Sequence, residues 1–164
     1  MIPALLLATT LLGTPALVCT GSTEVAQAKE LRASVEAGAL YALASTQLGP
    51  PTACSFSRSA ASEVGLTLTF KDTSVLKTEA REPEMSSSVL VAARGLAEQA
   101  VLEALAPMAK TLGIALTAPT ESRFDRATKT RTRVFRSHDE GVNARVELDQ
   151  RGKRVTRVTV VIAL

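Results

Sequence analysis

The clearest structural pattern lies near the C-terminal end, where residues 142–164 are VNARVELDQRGKRVTRVTVVIAL. From Val142 to Asp149, apolar and polar side chains alternate, which is the two-residue period of a strand with one buried face. The tripeptide Gln150-Arg151-Gly152 supplies a turn, after which β-branched residues recur to the end of the sequence. The stretch therefore predicts two antiparallel strands joined by a tight turn.

A third strand is expected just before this pair. Residues 129–135 alternate in the same way, and the turn-forming sequence His138-Asp139-Glu140-Gly141 connects them to residue 142. The three strands together form a β-meander. The last strand is apolar on both faces over residues 160–164, which fits either a central strand buried on both sides or an edge strand that pairs with a second chain.

The sequence before the meander contains two helical patterns. Residues 23–47 are rich in Ala, Glu and Leu at helical spacing, and Gly49-Pro50-Pro51 ends that helix. A second helix is expected to begin at the serines of residues 86–88 and to end at Gly113. Its apolar stripe is formed by Val89, Ala93, Leu96, Ala100, Ala104, Met108 and Leu112.

The other segments predict strands and loops. Residues 64–70 alternate and predict a half-buried strand, with residues 54–56 as a shorter partner, whereas residues 71–85 and 117–130 are polar and predict surface loops. Over 164 residues, this order predicts one α+β domain with two helices packed on an antiparallel sheet and a C-terminal three-stranded β-meander. The two helix-then-strand halves suggest a duplication, but no residues match at a fixed period.

The first residues predict export. Residues 4–18 carry no charge, and Gly13 and Pro15 interrupt them before they could span a bilayer, which is typical of a secretory signal. The small residues of Ala26-Gln27-Ala28 predict cleavage that leaves residues 29–164 as the domain, with residues 1–28 as the leader. Alternatively, Cys19 stands where bacterial lipoproteins carry their acylated cysteine. Either route predicts a periplasmic or cell-envelope protein, and the second predicts lipidation of Cys19.

The chemical state of the two cysteines depends on which of these alternatives applies. Cleavage after Ala28 discards Cys19, and lipidation occupies its sulfur, so both routes leave Cys54 as a single thiol. We expect the side chain of such a cysteine to be a small, buried, apolar group. Only an uncut chain could join Cys19 to Cys54.

Positive charge is concentrated in the last quarter of the chain. Residues 123–164 contain eleven Lys or Arg and five Asp or Glu. Residues 1–122 contain eight Lys or Arg and eleven Asp or Glu. A basic sheet face attracts an anionic envelope component or an acidic protein. The alternative is a solvated face whose cations are balanced by Glu147 and Asp149. The predicted partner-binding residues are Arg131, Arg133, Arg145 and Arg157.

Nucleic acid is the least favoured anion. Proteins that bind single-stranded nucleic acid stack its bases on aromatic side chains. Only one aromatic residue, Phe135, lies among these arginines in the sequence. Aromatic residues make up only 3% of the chain, so such stacking platforms are scarce.

Catalytic patterns are weak. His138 is the only histidine and lies beside Asp139 in a predicted turn, where adjacent side chains point apart. The same geometry disfavours a metal site on residues 138–140. Glycine-rich phosphate-binding motifs are absent from the sequence. We therefore expect no cofactor and no metal, and the rival hypothesis of another class is a small hydrolase that uses Cys54 or a serine with His138.

The sequence thus predicts a non-enzymatic, exported cell-envelope protein, with a small binding or structural domain that contacts an anionic partner through its basic meander. The alternative in the same class is a homo-oligomer or partner complex assembled through the C-terminal strand, residues 158–164.

Overall fold

A computed structural model describes residues 17–21, 25–60, 63–81 and 85–163. The chain forms α1 (Val25–Glu36), α2 (Ala39–Leu48), β1 (Ala53–Ala60), β2 (Glu63–Thr69), β3 (Val75–Arg81), β4 (Met85–Ala97), α3 (Glu98–Thr111), β5 (Glu121–Asp125), β6 (Thr130–Arg136), β7 (Asn143–Arg151) and β8 (Arg154–Ala163). The α+β class is confirmed, with more sheet than expected. Most of the predicted export signal, residues 1–16, lies outside the described residues.

All eight strands form one antiparallel sheet in the order β1-β2-β3-β4-β8-β7-β6-β5. The chain builds a four-stranded meander after α2 and a second one after α3, and the last strand of each meander pairs at the centre of the sheet. The architecture is therefore two halves: α1 and α2 followed by four strands, and α3 followed by four strands. The predicted C-terminal meander corresponds to β6, β7 and β8 within the second half.

The strand β8 occupies the centre of the sheet. It pairs with β4 on one side and with β7 on the other, in both cases between Arg154 and Ala163. Its backbone hydrogen-bonding groups are thus engaged within the chain. The sequence also allowed β8 to be an edge strand that pairs with a second chain. For the described residues of β8 this prediction is wrong, because both of its edges are paired within the chain.

Four segments differ from the sequence-based expectation. The first helix is divided at Gly38, whose extended backbone caps the start of α2. The predicted loops at residues 71–85 and 117–130 contain β3 and β5. Residues 89–97, expected as the first part of the second helix, belong instead to β4. Residues 85–91 of this strand pair with both β3 and β8, and residues 96–97 pair again with β8. Its β-branched Val89 and Val91 suit a strand.

The helices cover one face of the sheet. The core between them is formed by apolar side chains of the central strands and of α2 and α3, among them Leu66, Leu68, Leu76, Leu90, Leu105, Val146, Leu148 and Val158. No helix of the described residues packs on the opposite face, which we call the open face. In the part of the chain that the structure describes, no helix is long and apolar enough to cross a membrane.

Candidate binding groove on the open face

The four arginines predicted to bind a partner do not share one face. Arg133 pairs across the sheet with the core residue Leu148, so it points to the helix side, and Arg131, two residues earlier on the same strand, does too. Arg157 pairs with Asp149 and lies on the open face, as does Arg145. The alternation within each strand was predicted correctly, but the single basic face was wrong, because the register between strands decides which face each side chain joins.

Arg133 is held inside the protein. Its Nη2 lies 2.5 Å from Oε1 of Glu98, at the start of α3, and 3.3 Å from Oε1 of Gln150. The hydrogen bond from Arg133 holds the pKa of Glu98 below its usual value, although partial burial acts in the opposite direction. The guanidinium also lies 5.9 Å from the ring centroid of Phe135. Arg133 therefore joins α3 to β6 and β7 and is not available to a partner.

Two further arginines on the open face are already paired with carboxylates. Arg145 Nε lies 2.8 Å from Oε1 of Glu147, and Arg136 Nη2 lies 2.8 Å from Oε1 of Glu121. The expected balancing by Glu147 thus applies to Arg145. Asp149 instead accepts a hydrogen bond of 2.6 Å from the hydroxyl of Thr132.

Three further cations of the open face line a groove of about 580 Å³. Arg123, Arg151 and Arg157 contribute guanidinium groups from three different strands. In the described part of the chain none of these three is within ion-pair distance of a carboxylate, and Arg151 Nε donates a hydrogen bond to the hydroxyl of Thr130. The other polar lining residues are Asp125, Thr128, Thr130, Thr132, Asp149 and Thr156.

Two irregularities in the central strands lie beside the groove. The pairing of β4 with β8 shifts between Val91 and Leu96, and the pairing of β7 with β8 shifts at Asp149, leaving Thr156 as the extra residue. Bulges bend a strand and increase its twist. Gly95 in the first bulge has a φ of +65°, and a Cβ there would lie 2.7 Å from the Cβ of Arg154. The concavity is thus a consequence of how the two halves meet.

The carboxylates of the groove are occupied by local hydrogen bonds. Asp125 accepts from the hydroxyl of Thr128 at 2.7 Å and from the backbone N–H of Ala127 at 2.9 Å. These bonds lower the pKa of Asp125, the Thr128 hydroxyl most of all. Asp125 is therefore ionised at neutral pH and orders the turn between β5 and β6. The four threonine hydroxyls of the groove also donate within the protein, so the guanidinium groups supply the donors for an oxyanion such as a phosphate or carboxylate.

Sequence reasoning found Arg157 but missed Arg123 and Arg151. Arg123 was assigned to a loop because β5 is short and fully exposed, so its alternation carries no apolar signal. Arg151 was assigned to a turn, whereas it is the last residue of β7.

The predicted nucleophile and base do not meet. Cys54 lies in β1 at one edge of the sheet, whereas His138 follows β6, six strand positions away, which corresponds to roughly 29 Å. Cys54 is also joined to Cys19 by a disulfide, so the expectation of a single thiol is wrong here. A sulfur in a disulfide cannot carry a lipid at the same time, and lipidation of Cys19 stays a prediction for a chain in which this disulfide is absent.

Within the described ranges, no group of three or more His, Cys, Asp or Glu side chains could hold a metal ion.

No family model, curated protein or solved structure matches this chain.

Proposed function

We propose that this protein is a non-enzymatic, exported cell-envelope domain that binds an anionic partner through the groove of Arg123, Arg151 and Arg157. The observation that carries the proposal is that three arginines line one groove and that none of them is within ion-pair distance of a described carboxylate. Elsewhere on this half of the open face, Arg136 and Arg145 are paired with carboxylates. The groove therefore holds three arginines of residues 123–164 that are left to an external anion.

The shape of the groove favours an anionic group that is part of a larger partner molecule. Its volume of about 580 Å³ lies in the range of ordinary ligand sites, but it is a shallow surface feature on a sheet face. Planar guanidinium groups from β5, β7 and β8 can each bind two oxygens of a phosphate or carboxylate. We therefore favour an envelope polymer with repeating anionic groups, and an acidic protein is the alternative that the test separates.

The proposal is tested with the variant Arg123→Glu/Arg157→Glu. Binding of fluorescent linear polyphosphate and of polyglutamate is measured by anisotropy at low and at physiological salt. We expect the unaltered chain to bind polyphosphate more tightly, with affinity that falls as salt rises, and the variant to bind at least about tenfold more weakly, since two charge-assisted contacts are lost. Tighter binding to polyglutamate would assign the groove to an acidic protein instead.

A matched control separates the groove from net charge. The variant Arg131→Glu/Lys153→Glu changes the net charge by the same amount at exposed positions outside the groove lining. We expect it to retain binding within about threefold, because the groove is intact. An equal loss in both variants would show that only overall charge matters, and the proposed site would be rejected.

A further inference from the structure

A short segment before the first helix is built into the sheet edge. The backbone N–H of Thr20 donates to the carbonyl of Cys54 at 2.9 Å, and the N–H of Phe56 donates to the carbonyl of Thr20 at 2.7 Å. These two bonds form a parallel bridge between Thr20 and Ser55 of β1. Residues 17–21, which we call the edge segment, thus cover an otherwise open edge of the eight-stranded sheet.

Side chains fix the edge segment independently of its backbone. Cys19 is joined to Cys54 by the disulfide, with the two Cα atoms 4.4 Å apart. Arg32 of α1 donates from Nη1 to the carbonyl of Leu17 at 2.8 Å. Gly21 has a φ of +113°, and a Cβ at this position would lie 2.1 Å from the carbonyl oxygen of Phe56. The close approach to β1 therefore requires glycine at this position.

The start of α1 is also part of the domain. Ala28 is 8% exposed, and Oε1 of Gln27 accepts a hydrogen bond of 2.6 Å from Nη2 of Arg58 in β1. Cleavage after Ala28 would remove these contacts, the first turn of the helix and the whole edge segment. The folded domain thus begins well before Lys29.

We propose that the edge segment is a permanent part of the mature, exported protein: the leader is removed before Leu17, and an oxidised Cys19–Cys54 pair then locks the segment over β1. This inference rests on the export in the proposed function. Ala16 and Thr14 offer small residues at the two positions before the Ala16–Leu17 bond that a signal peptidase requires. Hydrolysis of that bond consumes one water and leaves a carboxylate on Ala16 and an amine on Leu17.

The oxidation needs a disulfide donor, which exporting compartments supply. The thiolate of one cysteine attacks the donor disulfide and forms a mixed disulfide, and the second thiolate then displaces the donor. The donor leaves as a dithiol that carries the two electrons, and the two protons lost by the cysteines are taken up by its sulfurs through solvent. In this arrangement Cys19 is a structural cysteine, and the edge of β1 at Cys54 and Phe56 is not open to pairing with another chain.

The test uses the full chain with its own leader, produced in a Gram-negative host. Protein from the envelope fraction is alkylated before and after reduction, and its intact mass and N-terminus are determined. We expect a chain that begins at Leu17, takes up no alkyl group before reduction and takes up two after it. A chain that begins at Lys29, an acyl group on Cys19, or two thiols reactive without reduction would each overturn the proposal.

A second arm separates this inference from export itself. If the chain stays in the cytosol, it is purified and oxidised with glutathione disulfide. Formation of an intramolecular Cys19–Cys54 bond would then support the locked segment although export had failed, whereas failure to form it would overturn the locked segment.

A variant provides a structural readout. In Cys19→Ser/Cys54→Ser, we expect the amide hydrogens of Thr20 and Phe56 to exchange faster with solvent and Tm to fall by roughly 10 °C. Gly21→Ala is expected to speed exchange at the same two amides while keeping the disulfide. Unchanged exchange in both variants would contradict the proposal.

Discussion

At the scale of single residues, the arginines of the second half have three different roles that their sequence spacing does not separate. Arg133 is partly buried and paired with Glu98, Arg145 is paired with Glu147, and Arg157 lines the groove. The alternation of each strand was predictable, because it depends only on neighbouring residues. The partners were not predictable, because Glu98 lies 35 positions from Arg133 and meets it only through the packing of α3.

The pair of Glu98 and Arg133 predicts a pH-dependent contribution to stability. We expect Glu98→Gln to lower the free energy of unfolding by about 1–2 kcal/mol at pH 7, less than for a fully buried pair because 34% of the Glu98 side chain is exposed. Since the folded pKa of Glu98 is lowered, its contribution is complete above the unfolded pKa and is lost as pH falls through the folded pKa. Urea unfolding at pH 7 and pH 3 measures the difference, which should shrink at the lower pH.

The matched control is Glu121→Gln, which removes the acidic partner of an exposed pair. We expect a change below about 0.5 kcal/mol at either pH. A loss at Glu98 that is independent of pH would contradict the assigned role of its charge.

At the scale of elements, β4 shows where sequence periodicity is ambiguous. Residues 85–97 contain apolar side chains that fit helical spacing with the following α3, so a single long helix was predicted. The strand instead forms because both neighbours, β3 and β8, supply complementary ladders to it. Such long-range pairing has no local signal, which also explains why the charged β3 and the exposed β5 were expected to be loops.

The strand assignment predicts which side chains of β4 matter. Leu90 is fully buried on the helix side, whereas Val91 is 39% exposed on the open face. We expect Leu90→Ala to cost about 2–5 kcal/mol of unfolding free energy and Val91→Ala less than about 1 kcal/mol. Denaturant unfolding followed by circular dichroism measures both. Similar costs for the two variants would contradict the alternating burial of this strand.

The disulfide makes a further prediction at this scale. The bridge closes a loop of 35 residues, for which the chain-entropy estimate is about 3–4 kcal/mol. We expect reduction of the unaltered protein to lower its unfolding free energy by this amount. In Cys19→Ser/Cys54→Ser, a reducing agent should have no effect, and a comparable effect there would assign the change to another cause.

At the scale of the whole molecule, two halves, one of two helices and four strands and one of a single helix and four strands, meet at β4 and β8. The groove lies beside that junction. The class and the order of the last three strands could be predicted because their alternation is local. The eight-stranded sheet, the central position of β8 and the groove could not, because they depend on bulges and on register between strands far apart in sequence.

Anion binding through the groove of the open face is tested most directly by a nuclear magnetic resonance titration of the oxidised, isotope-labelled protein with linear polyphosphate. We predict saturable shifts of backbone amides in β5, β7 and β8 around Arg123, Arg151 and Arg157, with little change at Arg131 and Lys153. Shifts concentrated on the helix side, or no saturable shifts at physiological salt, would contradict binding through the open face.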